Sequence, residues 1–317
     1  MLGVFLDAGS INRGDIDLSD LVATLPEWRV YEHTVPAETA DRVRDAAVVI
    51  TNKVVIDERT LTAAPTVRLI CVAATGTNNI DSEAARRRGV RVCNVRGYAT
   101  TAVTQHVFML VLNLLTHLPE YRHAVRSGDW GRSRHFCLLD FPIAELAGKA
   151  LGIVGYGEIG RSVAAIGQAF GMRVAVAARP GAPAPEGRET FDRVLSRSDV
   201  LSLHCPLTEA TRNLIDSAAL ARMKSTAILI NTARGGLVDE SALAQALRAG
   251  RLGGAGVDVL TAEPPSADNP LLAPDVPGLI VTPHIAWASR EARQRLVGEL
   301  RENVLAYLDG RNRNPVV

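Results

Sequence analysis

The chain has 317 residues, 47% hydrophobic and 22% charged, which is enough for two ordinary domains and too apolar for a mainly disordered protein. Lys plus Arg (35) nearly balances Asp plus Glu (34), so the broad basic field that nucleic acid or an anionic membrane demands is missing, and 4% aromatic residues argue against base stacking. The start, MLGVFLDAGS, lacks a secretory signal's basic segment and apolar core, and the apolar stretch 107–115, broken by Asn113, falls far short of the roughly 20 residues that span a bilayer; the cytoplasm is the expected compartment.

In chain order, Val/Ile/Leu/Ala-rich runs at 4–7, 47–51, 67–73 and 90–95 alternate with helical patterns. Arg86-Arg87-Arg88 reads as a solvated last turn of one such helix. The rhythm then stops for a long helix over 101–118 and an irregular, aromatic-containing stretch over 130–142. It resumes with runs at 150–155, 174–178, 200–204, 227–231, 254–258 and 279–282. Continuous apolar strands separated by helices predict an α/β protein of two doubly wound parallel sheets. The final segment, 289–308, spaces Leu296, Leu300, Val304 and Leu308 on one helical face, which needs a surface to cover in either domain. Of four cysteines, none forms a C-x-x-C pair; Cys71, Cys93 and Cys205 lie in or beside apolar runs as reduced thiols.

The strongest local signal is Gly155-Tyr156-Gly157-Glu158-Ile159-Gly160, which follows an apolar strand and opens a helical pattern. In G-x-G-x-x-G the first glycine makes the tight turn, the second admits a pyrophosphate to the backbone, and the third lets helix and strand approach. The end of the next strand selects the nucleotide, because an acid there accepts from ribose hydroxyls whereas a 2′-phosphate calls for arginine. Here the chain reads Val176-Ala177-Ala178-Arg179-Pro180, with no acid, so NADP(H) is preferred over NAD(H). Arg179 also suits a solvent-facing position or stacking on adenine.

Three later runs place polar residues at strand ends, where open α/β sheets bind ligands: Asn231 leads to Thr232-Ala233-Arg234, Asp258 to Glu263, and Thr282 to His284. Taken singly, Arg234 reads as a strand cap, Glu263 as a solvated loop acid and His284 as a turn residue; as an ordered set behind a nucleotide loop they read as catalytic. No G-x-S-x-G elbow or H-E-x-x-H pair occurs, and no metal is implied.

These motifs in order, VAATGTNNID, GYGEIG, HCPLTEATRNLI, INTARGGLVDESAL, GVDVLTAEPP and VTPHIAWAS, resemble the D-isomer-specific 2-hydroxyacid dehydrogenase family over essentially the whole chain. ICVAATGTNNID, VCNVRGYAT, FCLLDFPIAELAGK and the His-Ile-Ala-Trp ending look most like its glycerate dehydrogenase (hydroxypyruvate reductase) branch. The resemblance implies a flavodoxin-like substrate domain over 1–98 and 286–317 and a Rossmann NAD(P) domain over 99–285, hinged near 95–101 and 284–289. It implies that His284 exchanges a proton with the substrate oxygen, that Glu263 bonds the other ring nitrogen and fixes the tautomer, and that Arg234 grips the carboxylate. Thr75 and Gly76 resemble the loop that binds substrate carboxylate through its N–H groups, though an ordinary strand-to-helix turn reads the same. Tyr156, Glu158 and Ile159 would meet the cofactor through backbone. His204, Cys205, Pro206 and Thr211 resemble the adenosine-side loop, Thr232, Ala233, Arg234 and His284 line the cofactor, and Asp258 lies near the nicotinamide carboxamide.

The implied activity is reduction of hydroxypyruvate or glyoxylate to D-glycerate or glycolate. The alternatives are another 2-hydroxy acid such as D-lactate, or a nucleotide-sensing corepressor-like protein that binds partners without turnover. Formate-type relatives carry Gln where this chain has Glu263. The resemblance also implies a homodimer through 119–142, a region that the residues alone describe only as an irregular connection.

Overall fold

Four-residue runs such as VVIT, LICV, VLSL and ILIN are buried along their whole length, as strands sandwiched between two helical layers must be. They build two sheets in a computed structural model that describes residues 1–317. The chain divides into one unit of Met1–Ala99 with Trp287–Val317 and another of Thr100–Ala286.

In the first unit, β1 (Leu2–Phe5), β2 (Glu27–Val30), β3 (Val48–Thr51), β4 (Leu69–Val72) and β5 (Arg91–Cys93) form an all-parallel sheet in the order β2-β1-β3-β4-β5, the flavodoxin-like arrangement. Neighbouring residues of a strand face opposite layers: Val48 and Ile50 join one core, Val49 the other. The second layer of the first core is the helix Arg290–Leu308, whose Leu296, Leu300 and Val304 are fully buried. Ser289 caps it by accepting from Ala292 N at 3.1 Å. Leu308, placed on the buried face by spacing, is instead exposed, because it ends the helix past the edge of the surface beneath.

Strand β2 is absent from the sequence expectation. It is an edge strand with one neighbour; its EWRV alternates polar and apolar over only four residues and is mostly exposed, so it shows no apolar run to mark it. Its one anchor is Trp28, which lies on Gly3 so closely that a Cβ there would stand 2.5 Å from the ring.

In the second unit, β6 (Ala150–Val154), β7 (Arg173–Val176), β8 (Val200–Leu203), β9 (Ile228–Asn231), β10 (Gly254–Val257) and β11 (Leu279–Val281) form a parallel sheet in the order β11-β10-β9-β8-β6-β7. A further parallel bridge, Ala177 to Glu189, stands beyond β7. Counting Glu189 as a one-residue third strand gives the order 3-2-1-4-5-6-7, the Rossmann order 3-2-1-4-5-6 with β11 added at its edge. The helix Thr100–Leu115 lies on β10, whose GAGV sequence permits the approach: a Cβ on Gly256 would come within 2.9 Å of Leu110 Cβ.

That helix stops at Leu115 rather than running on to residue 118. Pro119 has no N–H to bond the carbonyl of residue 115, and His117 turns the chain with φ of 49°. The connection that follows is also less irregular than expected, since Leu118–Arg126 and Asp129–Arg132 are helical. Phe136 and Leu139 beyond them are 92% and 83% exposed. No single helix is long and apolar enough to cross a membrane.

Candidate active site

Read along the C-terminal edge of the second unit's sheet, the singled-out residues fall in spatial order. Arg179 follows β7, the glycine turn follows β6, His204 to Pro206 follow β8, Arg234 follows β9, Asp258 and Glu263 follow β10, and His284 follows β11. The chain runs from β6 outward to β7 and returns to β8 on the other side, so a crevice opens at the β6/β8 reversal.

The three glycines have distinct surroundings. Gly155 has φ of 95°, and a Cβ there would stand 2.5 Å from Cys205 N. At Gly160 a Cβ would meet Gly155 O at 2.1 Å, so the helix Glu158–Ala169 seats on the turn only through a glycine. Gly157, the residue before that helix, faces open space and supplies no side-chain cap, which leaves the first-turn N–H groups of the helix to an incoming anion. Glu158 turns its carboxylate to Thr100, which donates at 2.6 Å. On the β8 side, His204 Nε2 lies 2.9 Å from Ser202 Oγ, and burial pushes the imidazole down to about 4, so it is neutral at physiological pH. Thr211 spends its hydroxyl inside its own loop, donating to Pro206 O at 2.8 Å and accepting from Thr208 N at 2.7 Å. Arg179 is exposed, while Glu189, the acid bridged to the end of β7, is ion-paired with Arg193 at 2.7 Å and Arg197 at 3.6 Å.

At the other end of the edge, Glu263 Oε2 accepts from His284 Nδ1 at 2.6 Å, and Glu263 Oε1 accepts from Leu260 N at 2.9 Å. Both carboxylate oxygens are thereby fixed, and the ring is held in the tautomer that donates through Nδ1. His284 itself has φ of 54°, a left-handed conformation that costs a residue with a Cβ about 1 kcal/mol. Its N–H donates to Asp258 O at 2.8 Å and to Thr282 O at 3.0 Å. The fully buried Asn231 shapes the Arg234 loop, donating to Arg234 O at 2.9 Å and accepting from Ala233 N at 3.1 Å. The next residue, Gly235, packs against the loop after β10, where a Cβ would meet Leu260 C at 2.0 Å.

Residues 108–286 match the NAD binding domain of the D-isomer specific 2-hydroxyacid dehydrogenases. The chain is 45% identical over 316 residues to the glycerate dehydrogenase of Methylorubrum extorquens, covering 99% of this chain and 98% of the relative. The chain belongs to the D-isomer-specific 2-hydroxyacid dehydrogenase family. It is 37% identical to the hydroxypyruvate reductase of Blautia hydrogenotrophica over 97% of both chains. Among solved structures it superposes on an acyclic imino acid reductase in complex with NADPH and D-Arg with a TM-score of 0.87, at 27% identity over 100% of both chains.

The edge of this family member suits a dinucleotide on its own evidence. The helix N-terminus at Gly157 is uncapped, and Thr232 Oγ1, after β9, is a buried hydroxyl without a protein partner. Asp258, by contrast, is almost completely buried and committed to its own chain. Its Oδ1 accepts from Thr282 Oγ1 at 2.5 Å and Ile285 N at 2.9 Å, and its Oδ2 accepts from Ala286 N at 2.9 Å. Thr75 and Gly76 lie in the first unit, after β4. There Asn94 donates to Thr75 O at 2.7 Å, and Thr75 Oγ1 donates to Val95 O at 2.8 Å. Three residues of the second unit were assigned no role from the sequence: Asn231, Thr282 and His106. Asn231 and Thr282 were legible as polar residues ending apolar strands. His106 sits inside an apolar helix and gave no signal.

Proposed function

We propose that this chain is an NADP(H)-preferring D-2-hydroxyacid dehydrogenase that reduces hydroxypyruvate, and glyoxylate beside it, to D-glycerate and glycolate. The observation that carries the reading is the 2.6 Å contact of Glu263 with His284 Nδ1, on the sheet edge that also holds Arg234 and an open glycine turn. The relatives named as a glycerate dehydrogenase and a hydroxypyruvate reductase support the substrate.

When bound, the reduced nicotinamide supplies the hydride that becomes the new C–H bond at the keto carbon. His284 donates its Nε2 proton to the carbonyl oxygen, so that a hydroxyl rather than an alkoxide results, and takes that proton back in the oxidative direction. Glu263 fixes the ring and offsets the positive charge of its protonated form. Arg234 pairs with the substrate carboxylate and draws electron density from the adjoining carbonyl. The N–H groups after Gly157 would receive the pyrophosphate, and Arg179 the 2′-phosphate. Thr232, Ala233 and the His204–Thr211 loop would line the remainder of the cofactor. Thr75 and Gly76 would bind the carboxylate from the first unit. The exposed apolar residues over 119–142 support a homodimer through that segment.

Initial rates with hydroxypyruvate, glyoxylate and pyruvate, each with NADPH and NADH, test the reading. Fast NADPH-dependent reduction of hydroxypyruvate is expected, and His284→Ala should cut kcat about 1000-fold or more while nucleotide binding persists. Absence of turnover with every keto acid, or full activity in His284→Ala, would refute it. A lower KM for NADH than for NADPH would overturn the Arg179 assignment alone.

A further inference from the structure

Residue His284 is held in a left-handed turn, and what holds that turn lies behind it. The Thr282–Ala286 segment is tied to Asp258 through the backbone of His284 and, through the carboxylate, by the N–H groups of Ile285 and Ala286 and the hydroxyl of Thr282. A threonine hydroxyl has one hydrogen. Because Thr282 gives it to a carboxylate at 2.5 Å, its oxygen accepts from its other neighbour, His106 Nε2, at 2.9 Å. His106 Nε2 also stands 3.5 Å from Asp258 Oδ1. One directed line of hydrogen bonds therefore runs from the helix Thr100–Leu115, through the residue after β11, to the residue after β10. It ends on the Asp258 carboxylate, which also accepts from the two N–H groups that follow His284.

We propose that His106 is a positioning residue of the reaction, which acts through Thr282 and Asp258 to hold the His284 turn in its left-handed conformation and the imidazole in register with Glu263. The inference rests on the assignment of His284 as the acid–base group. Burial holds the His106 imidazole below its ordinary range, against the opposing pull of Asp258, so the ring serves as a neutral Nε2–H donor. Asp258 is 1% exposed, and without the polar line it would keep a buried charge with fewer donors and a rotamer free to turn. An aliphatic residue at 106 fills the space between helix and sheet but donates nothing.

Purified full-length His106→Leu, His106→Gln, Thr282→Val and the Leu/Val double variant test this. Single-turnover hydride transfer with deuterated and protiated cofactor gives the chemical step, nucleotide fluorescence the Kd, and thermal melts the stability. His106→Leu and Thr282→Val are each expected to slow hydride transfer about 10- to 100-fold, as a misplaced acid does, with nucleotide Kd within about twofold. The double variant should be no slower than either single one, and His106→Gln, which restores an N–H at the same reach, should recover most of the rate. Unchanged hydride transfer in His106→Leu overturns the proposal, as does additive loss in the double variant or a glutamine variant as slow as leucine. Should His106→Leu fail to fold, the near-isosteric Thr282→Val decides: a rate within twofold of the unsubstituted chain also overturns it. Full turnover in His284→Ala would instead sink the assignment beneath it, and the two failures are read from different variants.

Discussion

A single Cβ separates two kinds of glycine in the 155–160 turn. At Gly160 the methyl of alanine would collide with the carbonyl of Gly155 at 2.1 Å, a backbone atom that cannot give way without opening the turn. At Gly157 it would meet nothing of the protein and would enter the space where phosphate oxygens must come. Gly160→Ala is therefore expected to lower the melting temperature and nucleotide affinity together. Gly157→Ala should keep the melting temperature within about 2 °C and weaken nucleotide binding about tenfold or more. Melts and fluorescence titration of both variants check this; equal melting losses would mean that both glycines serve packing alone. At this scale the sequence was informative where chemistry and geometry demand rare residues, as with the glycines, Arg234, Glu263 and His284. It was silent at His106, whose meaning depends on a hydroxyl brought from 176 positions away.

Elements were legible in proportion to their burial. The strands sandwiched on both faces, β3, β4, β8 and β9, announce themselves as apolar runs because no position of theirs meets water. Strand β2 and the Glu189 bridge do not, because each stands at an edge and is held by backbone bonds that any side chain allows. The break after Leu115 was available from Pro119, whose consequence for the preceding turn outweighs the apolar pattern running through it. In the helix Arg290–Leu308, Leu300 is wholly buried against the first unit's sheet, and its truncation leaves a cavity that strands β3 and β4 cannot close. Leu300→Ala should cost about 3 kcal/mol, and Ser289→Ala, which loses the cap, about 1 kcal/mol. Urea titrations would show both, and a smaller loss at Leu300 than at Ser289 would mean that the helix is not what covers this sheet.

At the scale of the whole molecule, the α/β class followed from alternation alone, and the resemblance in ordered motifs carried the family. Association is a different matter, because nothing in a strand or helix pattern marks one apolar side chain as facing another chain. Phe136 and Leu139 are exposed beyond what a surface residue needs, in a segment with no sheet of its own. If they meet a second copy, sedimentation in the micromolar range should give a dimer, and Phe136→Glu with Leu139→Glu should shift it to monomer. A monomer from the unsubstituted chain removes that reading.

The order of the chain has a further consequence for how the protein comes to exist. Residues 100–286 are contiguous, so a nascent chain holds everything their sheet requires before the last helix has been made. The first unit's strands are made before residues 100–286, but their sheet cannot be covered until the helix that follows those residues has been made. Until Leu296, Leu300 and Val304 leave the ribosome, Val48, Ile50 and Leu69 wait on a finished strand framework with one apolar face bare. The unit begun before the other is thus finished after it, and in the interval its bare apolar face is open to non-native contacts.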